Sequence, residues 1–152
     1  EWKRNLGIAE NQSLFFTTID YCQLESVYPE GENRYLYSKR LVLFSGIAND
    51  TPLYKYLSDT YKVVRHLKFP DHHKFTNGDI RQIAAAAEAF PTSIIATTEK
   101  DSQRVKDCAK TPATIKERLF RAPIQVSFLG EDEHDRFRSV LRSYLTESRS
   151  EL

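Results

Sequence analysis

Leu41-Val42-Leu43-Phe44 is a continuous apolar run with no polar position to turn toward water. A strand of that kind has both faces covered, as in a parallel sheet flanked by helices. The segment after it keeps to that plan. Gly46-Ile47-Ala48-Asn49-Asp50 reads as a loop, and Thr51-Pro52 predicts an N-cap followed by proline at the first helical position. Leu53, Tyr56 and Leu57 then share one helix face. The pattern repeats. Val63-Val64-Arg65-His66-Leu67 is a second strand, and Phe69-Pro70-Asp71-His72-His73 is a turn stiffened by proline. Thr76 and Asp79 have capping-box spacing ahead of Ile80, Ile83, Ala84 and Ala87. Ser93–Thr97 is a third strand, and Thr98-Glu99-Lys100-Asp101 opens another helix. Ala113–Phe120 predicts a short helix, Ile124–Phe128 a further strand at an edge, and Phe137, Val140, Leu141, Tyr144 and Leu145 an amphipathic closing helix.

Strands alternating with helices of this length imply βαβ units and a mostly parallel sheet. The expected fold class is α/β, with residues 38–152 a three-layer α/β/α domain. Residues 1–37 form a linker region whose two strands, Leu14–Ile19 and Gln23–Tyr28, pair as a hairpin, with residues 29–33 as an exposed loop.

The 152 residues suffice for a substantial core, and 22 Lys plus Arg against 21 Asp plus Glu leave no basic stripe for nucleic acid. No apolar run approaches the roughly 20 residues that cross a bilayer. Cys22 and Cys108 have neither redox nor zinc spacing, which reads as a reduced, cytosolic setting. The chain holds no methionine and opens Glu1-Trp2-Lys3-Arg4, so a piece of something longer is expected.

In an open parallel sheet, ligands bind beyond the carboxyl ends of the strands. Three loops leave those ends: Gly46–Asn49, Phe69–His73 and Thr98–Asp101. His72 and His73 can act as general bases, and Asp71 can orient one of them or hold a cation. An Asp before a helix also caps backbone amides, and one of two adjacent histidines usually faces water. Asp, His and His in succession cannot readily face one ion, and no second cluster has ligand spacing, so no metal site is expected. The Thr98–Asp101 turn opens a helix whose amides attract anions, and Lys100 adds a charge suited to phosphate. The same residues also make a simple cap. Gly46 answers a need for positive φ or close approach, and Asn49 is equally a turn residue. The glycines at 7, 31, 46, 78 and 130 form neither G-x-x-x-x-G-K-[ST] nor G-x-G-x-x-G, so nothing here is expected to cradle a triphosphate in the P-loop manner.

Phe44-Ser45-Gly46-Ile47-Ala48-Asn49, Phe69-Pro70-Asp71-His72-His73 and Thr97-Thr98-Glu99-Lys100-Asp101, in that order and spacing, resemble the carboxyl-terminal half of tetraacyldisaccharide 4'-kinase. The run to Pro123-Ile124-Gln125-Val126 matches as well, and the likeness covers roughly residues 13 to 130. It implies transfer of the ATP γ-phosphate, with magnesium, to the 4'-hydroxyl of tetraacyldisaccharide 1-phosphate, giving lipid IVA. It implies two α/β/α domains joined by a two-stranded linker. The amino-terminal one would carry the P-loop and bind ATP and Mg2+, leaving no cofactor for this chain. His72, with Asp71, would be catalytic, and His72 would pair with an acid of the other domain. Gly46, Asn49, Glu99, Lys100 and Asp101 are the candidate substrate-binding residues. The implied partners are the P-loop domain, the lipid A precursor and the membrane surface, at the cytoplasmic face of the bacterial inner membrane. A chain lacking the P-loop is expected to be inactive alone. Two other readings stay open: a metal-dependent phosphoesterase of the Asp-His-His type, and a non-catalytic interaction module.

Overall fold

The computed structural model describes residues 2–29, 35, 37–108 and 111–150, with backbone alone for 147–150. Its elements are α1 (Trp2–Asn5), β1 (Thr17–Tyr21), β2 (Glu25–Ser26), β3 (Arg40–Ser45), α2 (Thr51–Ser58), β4 (Lys62–Lys68) and α3 (Asn77–Glu88). There follow β5 (Ile94–Thr98), α4 (Glu99–Lys106), α5 (Ala113–Lys116), β6 (Leu119–Ala122), β7 (Ile124–Phe128) and α6 (Glu133–Ser150). The chain divides into two compact units. One is Tyr21–Ile124, and the other joins the beginning of the chain up to Asp20 with its end from Gln125.

The larger unit is built on a five-stranded sheet of order β2-β6-β5-β3-β4. β3 pairs parallel with both β4 and β5, β5 pairs parallel with β6, and only β2 runs antiparallel, on β6. Alternation along the strands sends side chains to two separate cores. Phe44, Ile95 and Leu119 face Ile80, Ile83, Ala84 and Ala87 of α3, Val105 of α4 and Ile115 of α5. Leu41, Leu43, Ile94, Ala96 and Phe120 face Leu53 and Leu57 of α2. Helices therefore cover both faces, and the expected α/β/α layering is present.

The chain goes from β3 outward to β4, then returns to lay β5 on the other side of β3. This reversal is a topological switch point, and it leaves a crevice beyond the carboxyl ends of β3 and β5.

At the opposite end of the strands, Arg118 is 5% exposed and donates to the Ser93, Ala87 and Phe90 carbonyls. Ala87 lies in the last turn of α3, so a buried guanidinium adds a second donor to carbonyls at the end of that helix.

Three expectations need correction. Ala113–Phe120 is not one helix: α5 stops at Lys116, and Leu119–Ala122 is strand β6. Leu119 and Phe120 point into opposite cores, which a helix turn could not achieve. The N-cap of α2 is Asp50 rather than Thr51. The two early strands do not pair with each other. A two-stranded sheet is present, but it joins β1 to β7, while β2 extends the main sheet. Apart from Pro29, the expected loop 29–33 lies outside the described residues.

In the smaller unit, Phe15, Phe128 and Phe137 meet edge-on or tilted at centroid distances of 5.3 to 6.1 Å. The Phe16 N–H donates to Glu133 at 3.0 Å. Along α6, Phe137 is packed, whereas Leu141, Tyr144 and Leu145 are 46%, 55% and 68% exposed, so the apolar face of this helix is covered only near its start. Among the described residues no helix is long and apolar enough to cross a membrane.

Candidate active site

Gly46 follows β3 directly and is buried. A Cβ there would lie 3.3 Å from Asp101 Oδ1, 3.3 Å from His73 Cβ and 3.4 Å from the Pro70 carbonyl oxygen. Its φ is not positive, so close approach is the reason for glycine. All three rim loops converge on this one backbone position.

Asp101 is fully buried in the first turn of α4. Its Oδ2 accepts the Gly46 N–H at 2.8 Å and the Thr98 hydroxyl at 2.9 Å, and its Oδ1 accepts Arg104 Nη1 at 2.9 Å. Thr98 in turn accepts the Asp101 N–H at 3.0 Å, which makes it the N-cap. Arg104 Nη1 also reaches the Gly46 carbonyl at 3.4 Å, and Nη2 lies 3.4 Å from His72 Nδ1.

The two adjacent histidines have opposite fates. His73 stacks on Phe69 with centroids 5.0 Å apart, meets Phe75 edge-on, and places Nε2 3.0 Å from Asp79. Asp79 also closes the capping box with Thr76, as its spacing predicts. Burial pushes the Asp79 carboxyl up, but the Thr76 backbone and hydroxyl and the His73 imidazole outweigh it and hold it below the usual range. His73 is therefore an anchor for the turn. His72 turns outward, with 72% of its side chain exposed, and takes φ +57°. That left-handed backbone is uncommon for a residue with a side chain, and such positions cluster at functional sites. Asp71 Oδ1 accepts the His72 N–H at 2.9 Å, and its Oδ2 lies 3.5 Å from His72 Nε2.

The remaining candidates are spread along the rim. Asn49 is exposed and accepts the Thr51 N–H at 3.1 Å, as a turn residue does. Glu99 pairs with Arg121 at 3.1 Å, and Lys100 is exposed.

Two features escape a reading of the sequence. One is Arg104, whose only signal is its place one turn after Asp101, where an i,i+3 ion pair can form. The other is a polar cluster beneath the first loop. The Asp50 carboxylate accepts the Ser45 hydroxyl at 2.6 Å and Lys68 Nζ at 2.9 Å, and lies 2.8 Å from His66 Nε2. Tyr54 stacks on the His66 ring at 5.4 Å. Burial raises the Asp50 carboxyl, yet Ser45, Lys68 and His66 together hold it below the usual carboxylate range. Committed to these partners, Asp50 gives α2 no side-chain cap.

Residues 4–146 match the family model for tetraacyldisaccharide-1-P 4'-kinase. The chain belongs to this family. A tetraacyldisaccharide 4'-kinase from Phocaeicola vulgatus is 32% identical over 140 residues, covering 88% of this chain and 38% of that protein. One from Parabacteroides distasonis is 33% identical over 138 residues, covering 86% and 37%. The chain thus spans under two fifths of the length of these relatives. An LpxK from Aquifex aeolicus, solved in complex with ATP, is similar in fold, with a TM-score of 0.50 at 20% identity over 88% of this chain and 39% of that one.

Among the described residues no group of three His, Cys, Asp or Glu side chains converges as a metal would require. The chain carries no P-loop pattern.

Proposed function

We propose that this chain is the carboxyl-terminal closing part of a kinase that moves the γ-phosphoryl group of ATP onto the 4'-hydroxyl of tetraacyldisaccharide 1-phosphate, giving lipid IVA. ATP and Mg2+ are bound by the P-loop part of the whole protein, which works at the cytoplasmic face of the bacterial inner membrane, and this chain alone is inactive. Family membership supports the reaction class. The observation that carries the site is the contrast between the histidines: His73 is tied to Asp79, while His72 stands exposed and left-handed at the carboxyl rim of the parallel sheet.

Phosphoryl transfer asks the protein mainly for positioning and charge stabilisation. His72 pairs with an acid of the P-loop part, and that carboxylate, oriented by the imidazole, takes the proton released by the sugar hydroxyl as it attacks. Asp71 holds the backbone and outer edge of His72. Lys100 offers a cation to substrate phosphate, and Asn49 and Glu99 belong to the same rim. Gly46 and Asp101 join the loops from within. Kinase membership and the inward turn of His73 leave the phosphoesterase reading without a feature of its own.

The test is His72→Ala in the full-length kinase, assayed for transfer to the disaccharide. The expected outcome is a fall in kcat of about 10²- to 10⁴-fold with KM little changed. Unaltered turnover would mean an interaction module whose histidine is incidental.

A further inference from the structure

An imidazole with 72% of its side chain exposed is not held by packing, yet a group that orients the acid taking a proton must keep one orientation. Polar contacts must supply it. Arg104 is suited to that task because it is itself clamped. Its Nη1 is fixed by the buried Asp101 carboxylate at 2.9 Å and by the Gly46 carbonyl at 3.4 Å. Asp101 in turn is fixed by the Gly46 N–H and the Thr98 hydroxyl. The other arm of the guanidinium, Nη2, reaches His72 Nδ1 at 3.4 Å across 32 positions of sequence.

We propose that Arg104 is a positioning residue for His72, fixing the orientation and tautomer of its imidazole from an anchor on Asp101 and Gly46. Its catalytic consequence rests on the kinase reading of His72; the contact itself does not.

Chemistry decides the tautomer. A guanidinium has donors and no acceptor, so Nδ1 must accept and the neutral ring carries its proton on Nε2. Asp71 Oδ2 lies 3.5 Å from Nε2, not hydrogen-bonded to it, but its negative charge favours a proton on that nitrogen. Both neighbours select the same form. The exposed edge of His72 is then an N–H, the form that pairs with an incoming carboxylate. Lysine at position 104 could keep a charge beside Asp101, but one ammonium cannot reproduce the planar fork that spans Asp101, Gly46 and His72.

The experiment has two arms. In the first, ¹⁵N-histidine spectra of this chain are recorded at a pH where the ring is neutral. His72 is expected as the Nε2–H tautomer, with Arg104→Lys and Arg104→Ala shifting it toward a mixture. A tautomer unchanged in both variants overturns the proposal. In the second, the full-length kinase carries Arg104→Lys, His72→Ala and the pair together. Arg104→Lys should lower kcat by about 10- to 100-fold while KM stays within about twofold. The double variant should be no slower than His72→Ala alone, because Arg104 acts through the imidazole. Losses that multiply would overturn the proposal by showing that Arg104 acts elsewhere. A silent His72→Ala would instead sink the kinase reading, leaving the spectra to judge the contact.

Discussion

The Asp101 carboxylate accepts the Gly46 backbone N–H at 2.8 Å, across the switch point between β3 and β5 and 55 positions apart in sequence. One buried charge thereby fastens the start of α4 to the end of β3, and Arg104 carries the link on to the Phe69–His73 turn. Asp101→Ala would leave the Arg104 guanidinium and the Gly46 amide without their acceptor. Removing one partner of a buried ion pair costs about 3–5 kcal/mol. Urea denaturation of the variant should show a loss of that order, and Asp101→Asn a smaller one. An exposed role for Asp101 in holding ligand would leave stability unchanged.

Gly46→Ala tests the convergence of the three loops. The added methyl would press on Asp101, on His73 and on the Pro70 carbonyl at 3.3 to 3.4 Å. Overpacking of this kind costs about 1–3 kcal/mol. The urea midpoint should fall with the slope unchanged, since the fold stays the same and only the fit worsens.

The sequence made the layers legible because apolar runs and helical spacing report burial directly. The capping box of Thr76 and Asp79 was visible for the same reason: its partners are three positions apart. Strand β6 was hidden, since Leu119-Phe120-Arg121-Ala122 is too short to show a period and follows a helix without a breaker. The pairing of β1 with β7 was hidden because it joins the two ends of the chain. At the site, the rim loops could be named from topology, but their wiring could not. Asp50 and Arg104 look like ordinary surface residues in sequence; only the fold brings Ser45, His66 and Lys68 to one carboxylate and Gly46 and His72 to one guanidinium.

Asp50 should leave a signature in acid. Its carboxyl is held below the usual range in the folded chain, by partners that outweigh burial. A depressed carboxylate stabilises the fold fully above the unfolded value of about 3.9, and that contribution is lost as pH falls through the folded value. Asp50→Asn should therefore be less stable than the parent near pH 7, by about 1–3 kcal/mol for the weakened buried network. The gap should narrow as the two are compared at progressively lower pH below about 4. A gap that stays constant into acid would show that the charge on Asp50 contributes nothing to the fold.

The left-handed backbone of His72 separates stability from function most sharply. At φ +57° a side chain costs of order 1 kcal/mol relative to glycine, which adopts this region freely. Some of that relief is offset by the greater freedom of glycine in the unfolded chain. His72→Gly should thus be at least as stable as the parent, whereas His72→Ala keeps the strain; both lose the imidazole contacts to Asp71 and Arg104, and both keep the backbone N–H bond to Asp71. The expected order of thermal midpoints is glycine, then histidine, then alanine, while in the full-length kinase only histidine supports fast turnover. Strain kept at an exposed position where glycine would be easier points to selection for the imidazole rather than for the turn. Should His72→Gly prove clearly less stable than the parent, the side-chain contacts would be holding the turn, and the strain would carry no functional meaning.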